Sequence, residues 1–126
     1  MLPAVASAHS STHTLKFTAV QKATHKFSAT AQGIQDTDVN ATNHTVGFDE
    51  LYVAGTSSTA GTANVTVDTN GGLLYGTFNI NFTTGAITNG KVTGGTGAFK
   101  SATGTITAKA LNAAGTKHAV TITYSG

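Results

Sequence analysis

The chain has 126 residues, one proline, no cysteine, no tryptophan and a formal net charge of +2. This length fits one domain with its own core, and the missing cysteines exclude a disulfide framework and thiolate chemistry. The seven basic residues are scattered lysines, so the bidentate arginine contacts typical of nucleic-acid recognition are excluded. No apolar run is long enough for a membrane-spanning helix. We therefore expect no nucleic-acid partner and no membrane span.

The N-terminal residues are similar to the end of an export signal. Residues 2–5 are apolar, and Ala6-Ser7-Ala8 has the small-x-small form of a signal-peptidase site. We expect residues 1–13 to be a signal-peptide remnant with a flexible lead, followed by a single β-barrel domain at 14–126. The protein is then predicted to be secreted. The alternative is an N-terminal start without such a role.

The composition predicts an all-β fold. Threonine occupies 25 positions and glycine 15, and residues branched at Cβ favour strands over helices. Alternating apolar and polar residues, interrupted by turn residues, indicate short strands at roughly ten-residue spacing, as in a sandwich or barrel. Strands are expected at residues 14–21, 45–54, 63–67, 73–82, 86–93, 104–110 and 120–124, with a weaker pattern at 26–31 and a polar loop at 33–43.

The strand at 73–82 has the clearest pattern. Its alternation is strict over the whole segment, which is typical of a half-buried strand. Phe78 lies on one face, and Tyr75 and Asn79 lie on the other. The pattern leaves open which face points into the barrel.

Acidic residues in the strand at 45–54 are the catalytic candidates. The apolar residues occupy even positions up to Phe48 and odd positions from Leu51 on. This shift by one residue predicts a bulge at Asp49-Glu50. A carboxyl group in an apolar lumen has a raised pKa and can act as a general acid or base. We therefore name Glu50 and Asp49 as catalytic candidates. The alternative is that one is solvated and the other caps backbone amides.

A glycine-rich corner is predicted to help close the barrel. Gly94, Gly95 and Gly97 lie within four residues, and glycine accepts the positive φ angles of a sharp corner. The last strand has no polar residue on its apolar face that would keep its edge from pairing with another chain. Pairing between the last strand and the first would protect the edges of both. Closure of this kind favours a barrel over a sandwich.

Three passages together resemble the barrel shared by allene oxide cyclases and plant dirigent proteins. The glycine-rich run is the most distinctive of them, and the resemblance covers residues 15–125. It identifies the chain as similar to secreted bacterial relatives of that group. The passages are Thr45-Val46-Gly47-Phe48-Asp49-Glu50-Leu51, then Tyr75-Gly76-Thr77-Phe78-Asn79-Ile80 with Gly85-Ala86-Ile87-Thr88-Asn89-Gly90, and Val92-Thr93-Gly94-Gly95-Thr96-Gly97-Ala98-Phe99 with Ala102 and Gly104.

The resemblance implies a small antiparallel eight-stranded β-barrel, often trimeric, with an apolar lumen and no cofactor. Its characterised members hold a reactive apolar molecule and set the stereochemistry of a cyclisation or coupling. Radical-coupling dirigent proteins use arginine, and fatty-acid epoxide cyclases use a buried glutamate with a cysteine. This chain has no arginine and no cysteine, and Glu50 is its one glutamate. Neither activity transfers.

Aromatic and amide side chains are the candidates for ligand contact. Tyrosine hydroxyls could orient a ligand, although tyrosine is also common at wet rims and interfaces. The histidines lack the spacing of a metal site, so no metal is expected. Asp36 and Asp38 alternate within the polar loop and are interpreted as solvated. The ligand-binding candidates are Tyr52, Tyr75, Asn79, Phe78 and Tyr124.

Three functions remain open from the sequence. The first is a secreted barrel that binds a small apolar molecule in its lumen without turnover, as a homo-oligomer, with a trimer implied by the resemblance. The second is a cofactor-free cyclase or isomerase that steers a reactive apolar substrate. The third is a structural or adhesive surface protein. The volume of the lumen separates the last from the others, because a filled barrel has no room for a ligand.

Overall fold

A computed structural model describes residues 11–126 as a closed antiparallel barrel in which each strand pairs with the next in sequence. The predicted signal-peptide remnant falls largely on residues 1–10, outside the described part, and strand β1 already begins at Thr12. The strands are β1 (Thr12–Lys26), β2 (Ala31–Val39), β3 (Thr45–Gly55), β4 (Ala60–Thr69), β5 (Gly72–Asn81), β6 (Ile87–Gly95), β7 (Thr103–Ala110) and β8 (Lys117–Ser125), with a 3-10 turn at Gly97–Phe99.

The first and last strands close the barrel. They pair from Thr12 with Ser125 to Val20 with Lys117 without a shift in register. Neither strand is left with a free edge along this stretch, so its backbone groups are satisfied within the fold. The predicted all-β, eight-stranded architecture is confirmed.

Two local predictions were wrong. The segment expected as a polar loop forms β2, because its alternating residues face the barrel interior and burial overrides the weak strand propensity of aspartate. The bulge expected at Asp49-Glu50 is absent from the described β3, where pairing with β4 is continuous. The pairing with β2 instead shifts beside Val46. The parity change arises because Phe48 faces outward, with 49% of its surface exposed.

The glycine corner lies at one end of the barrel. Gly94 and Gly97 have φ angles of +145° and +57°, which an L side chain rarely adopts. The corner places Phe99 in the core, with its ring centroid 5.2 Å from that of Tyr124. The strand directions put the four hairpin turns, at residues 27–30, 56–59, 82–86 and 111–116, at the opposite end. Along residues 11–126, no helix is long and apolar enough to span a membrane.

Candidate ligand-binding site

A cavity of about 140 Å³ lies inside the barrel. Its wall is largely apolar, because the inward positions of the strands carry Val, Ile, Leu and Phe. Two carboxyl groups, one imidazole, one amide and one hydroxyl interrupt this wall, at Asp36, Asp49, His118, Gln21 and Thr116. The apolar lining includes Phe17, Ile34, Leu51, Val65, Phe78, Ile80, Ile106 and Val120.

A wider hollow of about 550 Å³ lies at the end with the hairpins. Lys26, Phe82 and the turn at 28–30 contribute to its rim. Ile34, Val53 and Ile80 line both this hollow and the inner cavity. The cavity and the hollow therefore adjoin at three aliphatic side chains.

Three aspartates come together on β2 and β3. Asp36 and Asp49 are direct partners in the pairing of these strands, so their side chains share one face. Asp38 lies two residues further along β2 on that same inward face. Their exposed fractions are 8%, 4% and 1% for Asp36, Asp49 and Asp38. Carboxyl groups are seldom buried this far without a compensating partner.

The three carboxyl groups lie close enough for hydrogen bonding between them to affect their pKa values. Asp49 interacts in this way with both Asp36 and Asp38. Within residues 11–126, neither oxygen of Asp38 meets an N–H or hydroxyl donor. Asp38 is therefore buried with other carboxyl groups as its polar neighbours.

The pKa values follow from burial first. Burial raises the pKa of Asp36 to about 8, the hydrogen bond to Asp49 and its charge add to the rise, and His118 opposes it. Burial likewise raises the pKa of Asp49 to about 8, helped by the hydrogen bond to Asp38. Asp38 reaches a pKa of about 6, because burial raises it and the bond from Asp49 lowers it. At neutral pH two carboxyls are therefore protonated and one is ionised.

The structure separates the predicted catalytic pair. Asp49 lines the cavity, whereas Glu50 faces outward and is exposed. Successive residues of a strand point to opposite sides of the sheet, and no bulge alters this here. Glu50 therefore lies outside the cavity wall.

The predicted ligand contacts are also divided between the two faces. Phe78 lines the cavity, and this settles which face of β5 points inward. Tyr75 and Asn79 lie on the outer face, and Tyr52 stacks on Phe27 outside the barrel with ring centroids 5.5 Å apart. Tyr124 is half-buried beside Phe99, away from the described lining of the cavity.

Sequence reasoning missed Asp36, Asp38 and His118 as part of the site. The first two were assigned to a solvated loop, although Ile34, Asp36 and Asp38 keep the two-residue period of a strand. That period, together with the need for an eighth strand to complete the barrel, was the available signal. For His118 the signal was that it alternates with Val120 and Ile122, so that all three lie on the inward face of β8.

No protein-family profile matches the chain, and no curated protein matches it. Among solved structures, a pterocarpan synthase dirigent protein has a similar fold, with a TM-score of 0.60 over 96% of this chain and 86% of that chain. The fold is dirigent-like. The two sequences are 18% identical, so the likeness extends to the barrel and not to a reaction. The predicted bacterial origin and the resemblance to allene oxide cyclases remain predictions.

Metal chemistry has no geometric support among the described residues. Within residues 11–126, no three histidine, aspartate or glutamate side chains are placed to hold one metal ion. The three aspartates lie instead side by side on the inward face of β2 and β3. What the site offers chemically is an apolar space with acceptor oxygens and exchangeable protons at one side.

Proposed function

We propose that the protein binds a small, largely apolar molecule inside the barrel. The observation that carries this proposal is the cavity of about 140 Å³ inside the barrel, with an apolar wall and two inward carboxyl groups. Binding sites of this kind combine apolar lining with a few polar groups that fix orientation. A dry apolar cavity of about 150 Å³ in another protein binds benzene, so a single ring fits the available volume.

The adjoining hollow and the fold are consistent with this proposal. The outer hollow at the hairpin end gives a ligand a path past Ile34, Val53 and Ile80. The dirigent protein with the similar barrel is a pterocarpan synthase, and a barrel of that kind therefore supports a role with small molecules. The structural or adhesive role would not require a cavity.

The five isoleucines provide a direct test of cavity binding. All of them, Ile34, Ile80, Ile87, Ile106 and Ile122, line the cavity. We expect toluene to shift their δ1-methyl resonances in NMR spectra of the labelled full chain.

A matched pair of variants locates the binding. Ala108 lines the cavity, so Ala108→Phe should fill it and abolish the toluene shifts. Ala41 lies exposed in the turn between β2 and β3, so Ala41→Phe should leave the shifts intact. Methyl shifts that persist unchanged in Ala108→Phe, or their absence in the unmodified protein, would contradict the proposal.

A second candidate is a cofactor-free reaction that requires a proton. The observation that favours it is that Asp36 and Asp49, with pKa values of about 8, keep protons beside an apolar cavity at neutral pH. Asp49 then serves as the acid, as its catalytic assignment from the sequence supposed. Small epoxides and enol ethers are suitable trial substrates, and loss of turnover in Asp49→Asn with binding retained would support this candidate.

Assembly and export remain part of the proposal. Phe48, Tyr52 and Phe27 expose large aromatic surfaces on the outer face of the barrel, which is the composition expected at an interface between subunits. Together with the resemblance noted in the sequence, this supports a homo-oligomer. Secretion rests on the residues that precede the barrel.

A further inference from the structure

The polar side of the cavity has an excess of negative and accepting groups. Asp36 and Asp49 line it, and Asp38 lies two residues from Asp36 on the same inward face of β2. The described lining includes no lysine, and His118 is its one basic residue. A buried carboxylate needs an opposite charge or several hydrogen-bond donors to offset its lost hydration.

Asp38 adds an independent observation. It is 1% exposed, and both of its oxygens lack a fixed donor among the described residues. An ionised carboxylate has about four acceptor positions, and no N–H or hydroxyl donor among the described residues reaches those of Asp38. The protein therefore supplies fewer donors than this group accepts.

The carboxyl groups of Asp36 and Asp49 determine what the cavity presents to a ligand. Both line the cavity, and both are more than nine-tenths buried. Carboxyl oxygens accept hydrogen bonds, and the described lining holds no lysine that could donate to them. A ligand group that donates hydrogen bonds is therefore favoured at this position.

We infer that the ligand is an apolar amine whose ammonium group lies against Asp36 and Asp49, with its hydrocarbon part among the apolar side chains of the cavity. This inference rests on the proposed binding function. An ammonium has three donors and one positive charge, so it offers hydrogen bonds and an opposite charge to the acidic groups of the cavity wall. Phe17, Phe78 and Val120 provide the apolar contact for the remainder of the molecule.

Other ligand classes fit less well. A neutral alcohol donates one hydrogen bond and brings no opposite charge to the acidic groups of the wall. A carboxylate or phosphate would meet like charge, which costs binding energy in a buried site. A metal ion lacks a suitable set of three ligands in residues 11–126.

A series of four probes of the same size tests the inference. Benzylamine, benzyl alcohol, toluene and benzoate share one ring and differ in the group that would face the aspartates. We expect benzylamine to bind roughly tenfold or more tightly than benzyl alcohol or toluene, because hydrogen bonds to charged groups exceed neutral ones in strength. Benzoate should bind most weakly. Isoleucine methyl NMR of the full chain measures all four affinities.

Proton release gives a second, independent readout. The titratable side chains that face the cavity or its carboxyl groups are Asp36, Asp38, Asp49 and His118. An ammonium beside a protonated aspartate lowers that pKa, so the carboxyl loses a proton to the buffer as the cation enters. Calorimetry at ~pH 6.5 in two buffers of different ionisation enthalpy should detect release of up to about one proton per benzylamine. Toluene should release none.

Variants separate this inference from the function on which it rests. Asp36→Asn with Asp49→Asn should remove the preference for benzylamine and keep toluene binding, and Asp68→Asn, on the exposed outer face of β4, should change neither. Each single replacement gives the same test if the double variant fails to fold. Toluene or benzyl alcohol binding as tightly as benzylamine would overturn the amine inference alone. Failure of all four probes to bind would overturn the binding function as well.

Discussion

Burial of the Asp38 carboxylate destabilises the folded barrel. Asp38 is almost fully buried, its pKa is raised to about 6, and both its oxygens lack a fixed donor among the residues described. At neutral pH it is ionised in a site that disfavours the charge. Such residues are seldom explained by stability alone, which is consistent with a role at the ligand site.

The variant Asp38→Asn should therefore stabilise the protein at high pH. At pH 8 we expect the free energy of unfolding to rise by about 1 to 3 kcal/mol, because the amide removes a buried charge whose pKa is raised from 3.8 to about 6. At pH 4 the difference should largely disappear, since the native carboxyl is then neutral. Urea denaturation at both pH values measures this, with the exposed Asp68→Asn as control. A loss of stability at pH 8 would contradict the argument.

At the scale of elements, the junction between β6 and β7 is the weakest in the barrel. Regular pairing there is limited to Lys91 with Thr105 and Val92 with Gly104, whereas β1 and β8 pair along nine positions. Ile87, Ile106 and Ala108 line the cavity on the two sides of this junction. Local opening should therefore occur between β6 and β7 before the rest of the barrel unfolds.

A disulfide across this junction tests the expectation. The chain has no native cysteine, so Lys91→Cys with Thr105→Cys forms one defined bridge between exposed, paired positions. We expect it to slow amide hydrogen exchange in β6 and β7 under native conditions.

The matched control uses the same two residue types on the better-paired strands. Lys16→Cys with Thr121→Cys links β1 to β8. It should raise global stability through the unfolded state and leave the exchange of β6 and β7 little changed relative to global unfolding. Equal local protection by the two bridges would argue against a weak β6–β7 junction.

The strands differ in how much of their structure was predictable from sequence. In β5 the alternation identified the strand and placed Phe78 on the face opposite Tyr75 and Asn79. Which face points inward depends on the neighbouring strands, so the alternation alone does not determine it. In β2 the aspartates looked like a loop, since their burial is created by residues distant in sequence. The closed eight-stranded barrel was predicted, whereas most of the polar residues of the site were not.

At the scale of the whole molecule, the barrel combines a dirigent-like fold with three aspartates on the inner face of its wall. The backbone groups of the strands are satisfied by closure, so the sheet supplies the rigidity that holds three carboxyls together. Functional sites often contain residues that lower the stability of the fold. Here the loss of stability depends on pH, because a protonated carboxyl tolerates burial and an ionised carboxylate does not.

Stability of the whole barrel should therefore fall as pH rises from about 4 to about 8. The pKa of Asp36 and Asp49 is raised from 3.8 to about 8 in the native state, so the unfolded chain releases these protons first. Below pH 4 both states are protonated and the contribution is complete. Between the two values the free energy of unfolding should decrease by up to about 1.4 kcal/mol per pH unit for each carboxyl, and above pH 8 this decrease should end.

Urea denaturation at intervals between pH 5 and pH 9 measures this slope. Asp38 also titrates beside this pair, so the variant Asp36→Asn with Asp49→Asn is the necessary comparison. Its free energy of unfolding should vary much less with pH, because neither amide ionises. A profile in the unmodified protein that is flat or rises from pH 5 to pH 8 would mean that the two carboxyls do not keep their protons in the folded barrel. That outcome would remove the basis for acid catalysis, while leaving the apolar cavity and its binding function untouched.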